Sequence, residues 1–89
     1  MNVEHITWID SALGSNTWNL LEDIDKEDLK PIEVSTVGFV IKEKAEYIVV
    51  ALNFGNNPPQ YSNTITIPIR AITSREKIFE YIKKGEKDD

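Results

Sequence analysis

Apolar residues in this chain gather in short runs, and most of the runs alternate with polar ones. Over residues 3–10, Ile6 and Trp8 fall on one side of an extended chain, with Thr7 and Ile9 on the other, which predicts a first strand. Residues 11–31 break the pattern. Gly14, Ser15 and Asn16 mark a loop, and Trp18, Leu20, Leu21 and Ile24 then recur near helical spacing, which predicts a short helix or turn capped by Asn16. Pro31 ends that segment, because the residue before a proline is pushed out of the helical region.

The stretch 32–72 reads as a meander of three strands. In residues 32–43, Val37, Phe39 and Ile41 share one face and Val34, Thr36, Gly38 and Val40 the other. Gly38 in mid-strand weakens pairing but permits the sharp bend that a small barrel needs. A tight charged turn over 42–46 leads to residues 47–54, apolar on both faces and therefore expected at the centre of the sheet. A polar loop over 55–63 carries Pro58 and Pro59. Residues 64–68 then alternate cleanly, with Ile65 and Ile67 inward and Thr64 and Thr66 outward.

Beyond Ile72 the pattern changes period. Thr73-Ser74-Arg75-Glu76 matches a capping box, Ile78, Phe79 and Ile82 follow at helical spacing, and Gly85 can terminate. A C-terminal helix over 73–85 is expected, with a final strand over 72–78 as the alternative and a tail over 86–89. The fold class predicted is mainly β: one domain, a small bent five-stranded barrel with a C-terminal helix. An 89-residue barrel has one interior, so the second apolar face of residues 47–54 requires cover from the helix or from another subunit, and a homo-oligomer is expected.

Composition narrows the chemistry. The hydrophobic content of 40% and charged content of 28% are those of a globular chain. The longest apolar run, Ile48 to Leu52, is too short to span a bilayer, and no basic-apolar leader opens the chain. With no cysteine, disulfides, thiol nucleophiles and thiolate metal sites are excluded. The net charge of −5 lies almost wholly in residues 1–34, and no basic stripe of the kind that binds nucleic acid is present, which argues against such a partner.

Several segments together carry a family likeness: Ile6-Thr7-Trp8-Ile9-Asp10-Ser11, Trp18, Ser35-Thr36-Val37-Gly38-Phe39-Val40, Tyr47-Ile48-Val49-Val50-Ala51, and Ile65-Thr66-Ile67-Pro68 with Ala71-Ile72. On these residues, about three-quarters of the chain, the sequence resembles a widespread group of small, mostly uncharacterised phage and prophage proteins. The later strands also resemble Sm-like and SH3-like barrels, in which a bent meander ends at a proline-marked turn. The resemblance implies an accessory protein in the cytoplasm of an infected bacterial host. The chain departs from Sm-like RNA binders in its acidity and in lacking an RNA-contacting motif, and a shared fold does not carry a function with it.

Candidate functional residues each have two readings. Trp8, Asp10 and Ser11 could form an aromatic platform with polar groups at a strand end, or a core residue followed by a turn. Trp18 could be the lip of a pocket or a plug for the barrel. Tyr61 sits in the predicted 55–63 loop, a lid or simply an exposed connection. Arg70 could clamp a phosphate or close an ion pair with an N-terminal acid. The acidic run Glu22, Asp23, Asp25, Glu27 and Asp28 could occupy a basic groove on a host protein, or be a solvated face. It is not a calcium loop: Asp28 stands where the mid-loop glycine is required and Val34 where the closing glutamate is. With a single histidine, His5, and neither a nucleophile elbow nor a phosphate loop, no catalytic residue, metal site or cofactor is expected. The function expected is non-enzymatic binding that counteracts host defence by sequestering a nucleotide-derived signal. The alternatives are an acidic inhibitor of a host nucleic-acid-binding protein, an Sm-like RNA binder and a minor virion component.

Overall fold

The computed structural model describes residues 1–11, 18–26 and 30–82. Five strands form one antiparallel sheet: β1 (Asn2–Asp10), β2 (Ile32–Glu43), β3 (Tyr47–Asn56), β4 (Pro59–Pro68) and β5 (Ile72–Glu80). Their spatial order is β4-β3-β2-β1-β5, so β4 and β5 are the edges. Between them lies only a 3-10 turn, Ile69–Ala71. A flat five-stranded sheet would hold its edges roughly 19 Å apart, further than so short a tightly wound link reaches. The sheet therefore curls, bringing the end of β4 near the start of β5. The curl falls short of a closed barrel, since no ladder joins β4 to β5.

Inside the curl the alternating residues meet. Ile6 and Trp8 from β1, Ile48 and Val50 from β3, and Ile67 from β4 form the buried cluster, with Val34, Val40, Ile65, Ile69 and Ile72 packed against it. Trp8 donates its indole N–H to Thr36 Oγ1 at 3.0 Å, so the ring is buried without an unpaired polar atom. The inward set Ile65 and Ile67, with Thr64 and Thr66 outward, and the interior place of β3 agree with the alternation in the sequence.

Gly38 lets the sheet bend. β1 pairs with β2 over residues 32–39, whereas β3 pairs with β2 over residues 39–43, so the two neighbours diverge around this position. A Cβ at Gly38 would lie 2.6 Å from the carbonyl oxygen of Ala51 and 2.8 Å from Val50 Cγ1. Only a residue without a side chain permits that approach. A bulge at Ile41, where the β2–β3 register shifts between Val40 and Lys42, adds to the local twist.

Two expectations are corrected and a third takes a specific form. The helix expected over 73–85 is absent from the described residues: 72–80 is β5, paired with β1 from Trp8↔Ile72 to Asn2↔Glu80. Backbone hydrogen bonds of 2.8 and 3.0 Å between Met1 and Tyr81 extend that pairing. The alternative, a final strand, holds. The polar loop expected over 55–63 is mostly ladder, since β3 and β4 form a hairpin paired out to Asn56↔Pro59, with Asn57 and Pro58 as its turn. The short helix expected after Asn16 is a 3-10 segment, Leu21–Lys26, none of whose residues is buried; Asn16 itself lies outside the described residues. Among the described residues no helix is long and apolar enough to cross a membrane.

Candidate functional site

The β2–β3 turn and the end of β4 meet at one corner of the sheet. Lys44 donates its backbone N–H to Tyr47 O at 2.9 Å, closing the turn. Ile69 donates its N–H to Glu46 O, also at 2.9 Å, tying the 3-10 turn to the β2–β3 turn. Tyr47 stands opposite Pro68 in the β3–β4 ladder. These links fix the walls of a cavity of about 690 Å³ lined by residues 45–47 with Thr66, Pro68, Ile69 and Arg70. That volume falls in the range of roughly 300–1,000 Å³ typical of small-molecule sites.

The lining combines a ring, an apolar wall and a cation. Tyr47 is half-buried, and Lys42 Nζ lies 5.9 Å from its ring centroid, within cation–π range. Pro68 and Ile69 supply the wall. Arg70 is exposed and makes no ion pair among the described residues. A flat ring on Tyr47 and an anion on the Arg70 guanidinium are the groups such a corner can hold. Glu46 is the only carboxylate on the lining. Among the described residues no three His, Asp or Glu side chains converge on a position that could hold a metal ion.

The ion pair that the sequence offered to Arg70 is made elsewhere, by Arg75. Its Nε and Nη2 donate to Glu4 Oε1 and Oε2 at 2.7 and 2.8 Å, and Nη2 also donates to Glu43 Oε1 at 2.9 Å. Glu4 is buried within the sheet. The two hydrogen bonds from Arg75 hold its carboxyl below the usual glutamate range, against burial, which pushes it up. Arg75 is pushed up in turn, chiefly by its bond to Glu4.

The other candidates are scattered. Trp8 is a core residue and offers no face to a ligand. Asp10 and Ser11 are exposed at the end of β1, where Asp10 Oδ1 accepts the Ser11 N–H at 2.8 Å. Trp18 projects fully into solvent. Tyr61 lies on the β3–β4 hairpin opposite Phe54, and borders a second cavity of about 470 Å³ with Met1, Ile41, Lys42, Val49 and Phe54. Glu22, Asp23 and Asp25 ride on the 3-10 segment, where Asp23 pairs with Lys26 at 3.1 Å; Glu27 and Asp28 lie outside the described residues. No described cavity holds two of the six expected ligand contacts, Trp8, Asp10, Ser11, Trp18, Tyr61 and Arg70.

Sequence reasoning missed two features. Tyr47 became a site residue only when the turn brought it beside Arg70. The second is an aromatic triad, Phe39, Phe54 and Tyr81, with ring centroids 5.2–6.0 Å apart and Asn56 Nδ2 donating to the Tyr81 hydroxyl at 2.6 Å. A strand over 72–80, once preferred to a helix, would have placed Tyr81 beside β1 and exposed this cluster. Searches against protein-family models, curated proteins and solved structures find nothing that matches this chain.

Proposed function

We propose that this chain is a non-enzymatic binding protein whose corner pocket, lined by residues 45–47 with Thr66, Pro68, Ile69 and Arg70, takes a nucleotide-derived small molecule. The observation that carries the reading is the pairing of the Tyr47 ring and the Pro68–Ile69 wall with the Arg70 guanidinium in one cavity of about 690 Å³. A base would lie against the ring and the wall, and a phosphate would take the two parallel hydrogen bonds that a guanidinium offers. The lining groups best suited to a nucleotide are the ring, the apolar wall and the guanidinium, which favours retention as its role. With the likeness to phage and prophage proteins, sequestration of a host defence signal is the biological role this chemistry suits.

Titration calorimetry against a panel of cyclic nucleotides and ADP-ribose derivatives tests the reading. One member of the panel binds the wild type, and Arg70→Ala weakens that binding at least about tenfold, equivalent to about 1.4 kcal/mol. Absence of binding across the whole panel, or binding that Arg70→Ala leaves unchanged, would remove the proposal.

A further inference from the structure

β4 is the outermost strand on one side of the sheet, and among the described residues only β3 pairs with it. One hydrogen bond fixes which of its backbone groups face the open side. Ile69 donates its N–H to Glu46 O, and these two residues lie just beyond the Tyr47↔Pro68 pair. In an antiparallel ladder such a bond flanks a pair that is not itself hydrogen-bonded. The two kinds of pair alternate, so Ile67 opposite Ile48 and Ile65 opposite Val50 direct their N–H and C=O groups to β3. Thr64 and Thr66 direct theirs away from β3, to the free edge.

Sheet edges are ordinarily guarded by charge. β5, the other edge, carries Arg75, Glu76, Lys77 and Glu80. β4 carries no charged residue from Pro59 to Pro68. Its edge is instead bounded at both ends. Asn63, at φ 58°, turns the chain out of the extended region, and Pro68 has no N–H to donate. What remains is Thr64 to Ile67, uncharged, with its outward donors and acceptors placed symmetrically about Ile65.

We propose that two copies of this chain pair antiparallel along this edge, β4 against β4, about a two-fold axis at Ile65. Thr64 of each copy lies opposite Thr66 of the other, and each such pair exchanges both its N–H···O=C bonds. Ile65, which packs against the core, meets its own counterpart on the inner face, while threonine meets threonine on the outer face. The register is selective. A slip of one residue sets isoleucine opposite threonine and mismatches the faces. A slip of two residues either sets Thr64 opposite Pro68, which lacks the N–H, or runs the ladder across Asn63. The occupant is a second copy because the edge is its own complement: the same two residues supply donors and acceptors on both sides, as a two-fold interface requires. The bounds at Asn63 and Pro68 close the assembly at a pair rather than a fibre.

Native mass spectrometry and residue-resolved hydrogen exchange of the full chain test this. The wild type is a dimer at high micromolar concentration. The amides of Thr64 and Thr66 slow as concentration rises, whereas those of Ile65 and Ile67 are protected by β3 at every concentration. Thr66→Pro removes an N–H that its own protomer does not use, so the fold survives and the dimer is lost. Thr64→Lys with Thr66→Lys sets like charges opposite one another and gives the same loss. Both positions are exposed, so the circular dichroism of that double variant matches the wild type. A wild type that stays monomeric overturns the proposal. So do Thr64 and Thr66 amides whose exchange ignores concentration, which would leave the edge free or covered by its own chain, and so does a dimer that survives the paired lysines. No nucleotide enters these measurements, so failure here leaves the ligand reading standing, and failure of calorimetry leaves the strand pairing standing.

Discussion

Glu4 shows at a single residue how charge is accommodated in so small a core. Its side chain is 5% exposed, and that of Arg75 is 27% exposed. The carboxylate is tolerated because a guanidinium grips both its oxygens, which gives a bidentate, charge-assisted pair. Removing one partner leaves the other charge buried and unpaired. Arg75→Ala is therefore expected to lower unfolding stability by about 2–4 kcal/mol, read from urea denaturation at neutral pH, with the upper part of that range muted by the partial exposure of Arg75. The pair also makes stability depend on pH. The folded-state pKa of Glu4 lies below its ordinary value of 4.5, so its contribution is complete above pH 4.5 and is lost as pH falls through the depressed value. Glu4→Gln should flatten this acid limb of the stability profile, and an unchanged acid limb in that variant would contradict the assignment.

At the scale of elements, the bend in β2 and the identity of the last element carry the fold. A methyl group at Gly38 meets the Ala51 backbone, not the end of a flexible side chain, so the strands themselves must separate. Gly38→Ala is expected to cost about 1–3 kcal/mol, measured as a drop in the denaturation midpoint with little change in slope. The segment 72–80 is instructive because its local signals conflict. Thr-Ser-Arg-Glu and the spacing of Ile78, Phe79 and Ile82 suit a helix, while Thr, Ile and Phe suit a strand. The strand wins because β1 offers an unfilled ladder and Arg75 must lie on the face of Glu4. Register shifts between Val3 and Glu4 and between Thr7 and Trp8 put bulges in that ladder. Beyond Ile72 every residue of β5 is exposed, so neither face is marked by buried apolar side chains and alternation is invisible in the sequence. Hydrogen exchange should find alternate amides of residues 72–80 protected by their bonds to β1; uniform rapid exchange there would remove the strand.

At the scale of the whole molecule, the core is small and the surface incompletely covered. Among the described residues no further strand pairs with the edges β4 and β5, and apolar side chains at Ile78, Phe79 and Ile82 are exposed where a C-terminal helix had been expected to cover apolar surface. Stability should therefore depend on protomer concentration. Thermal midpoints of the wild type are expected to rise with dilution reversed, from low to high micromolar protein, by mass action on an associated native state. A wild-type midpoint independent of concentration would count against association at this scale as directly as a monomeric mass.

Local physics made part of this protein legible from its residues. Side chains two apart share a face of a strand, so Ile6 with Trp8 and Ile65 with Ile67 mark the interior wherever the strands later pair. Gly38 marks a bend because it has no side chain to hold the neighbouring strand away, and Pro68 marks a turn because its ring fixes φ and removes a donor. What depends on partners distant in sequence was left to the tertiary structure. It chose strand over helix for residues 72–80, gave Glu4 to Arg75 rather than Arg70, and joined a turn at 44–46 to one at 69–71 to make the pocket. Those outcomes compare the energies of alternative pairings across the sheet, and no single segment contains both sides of that comparison.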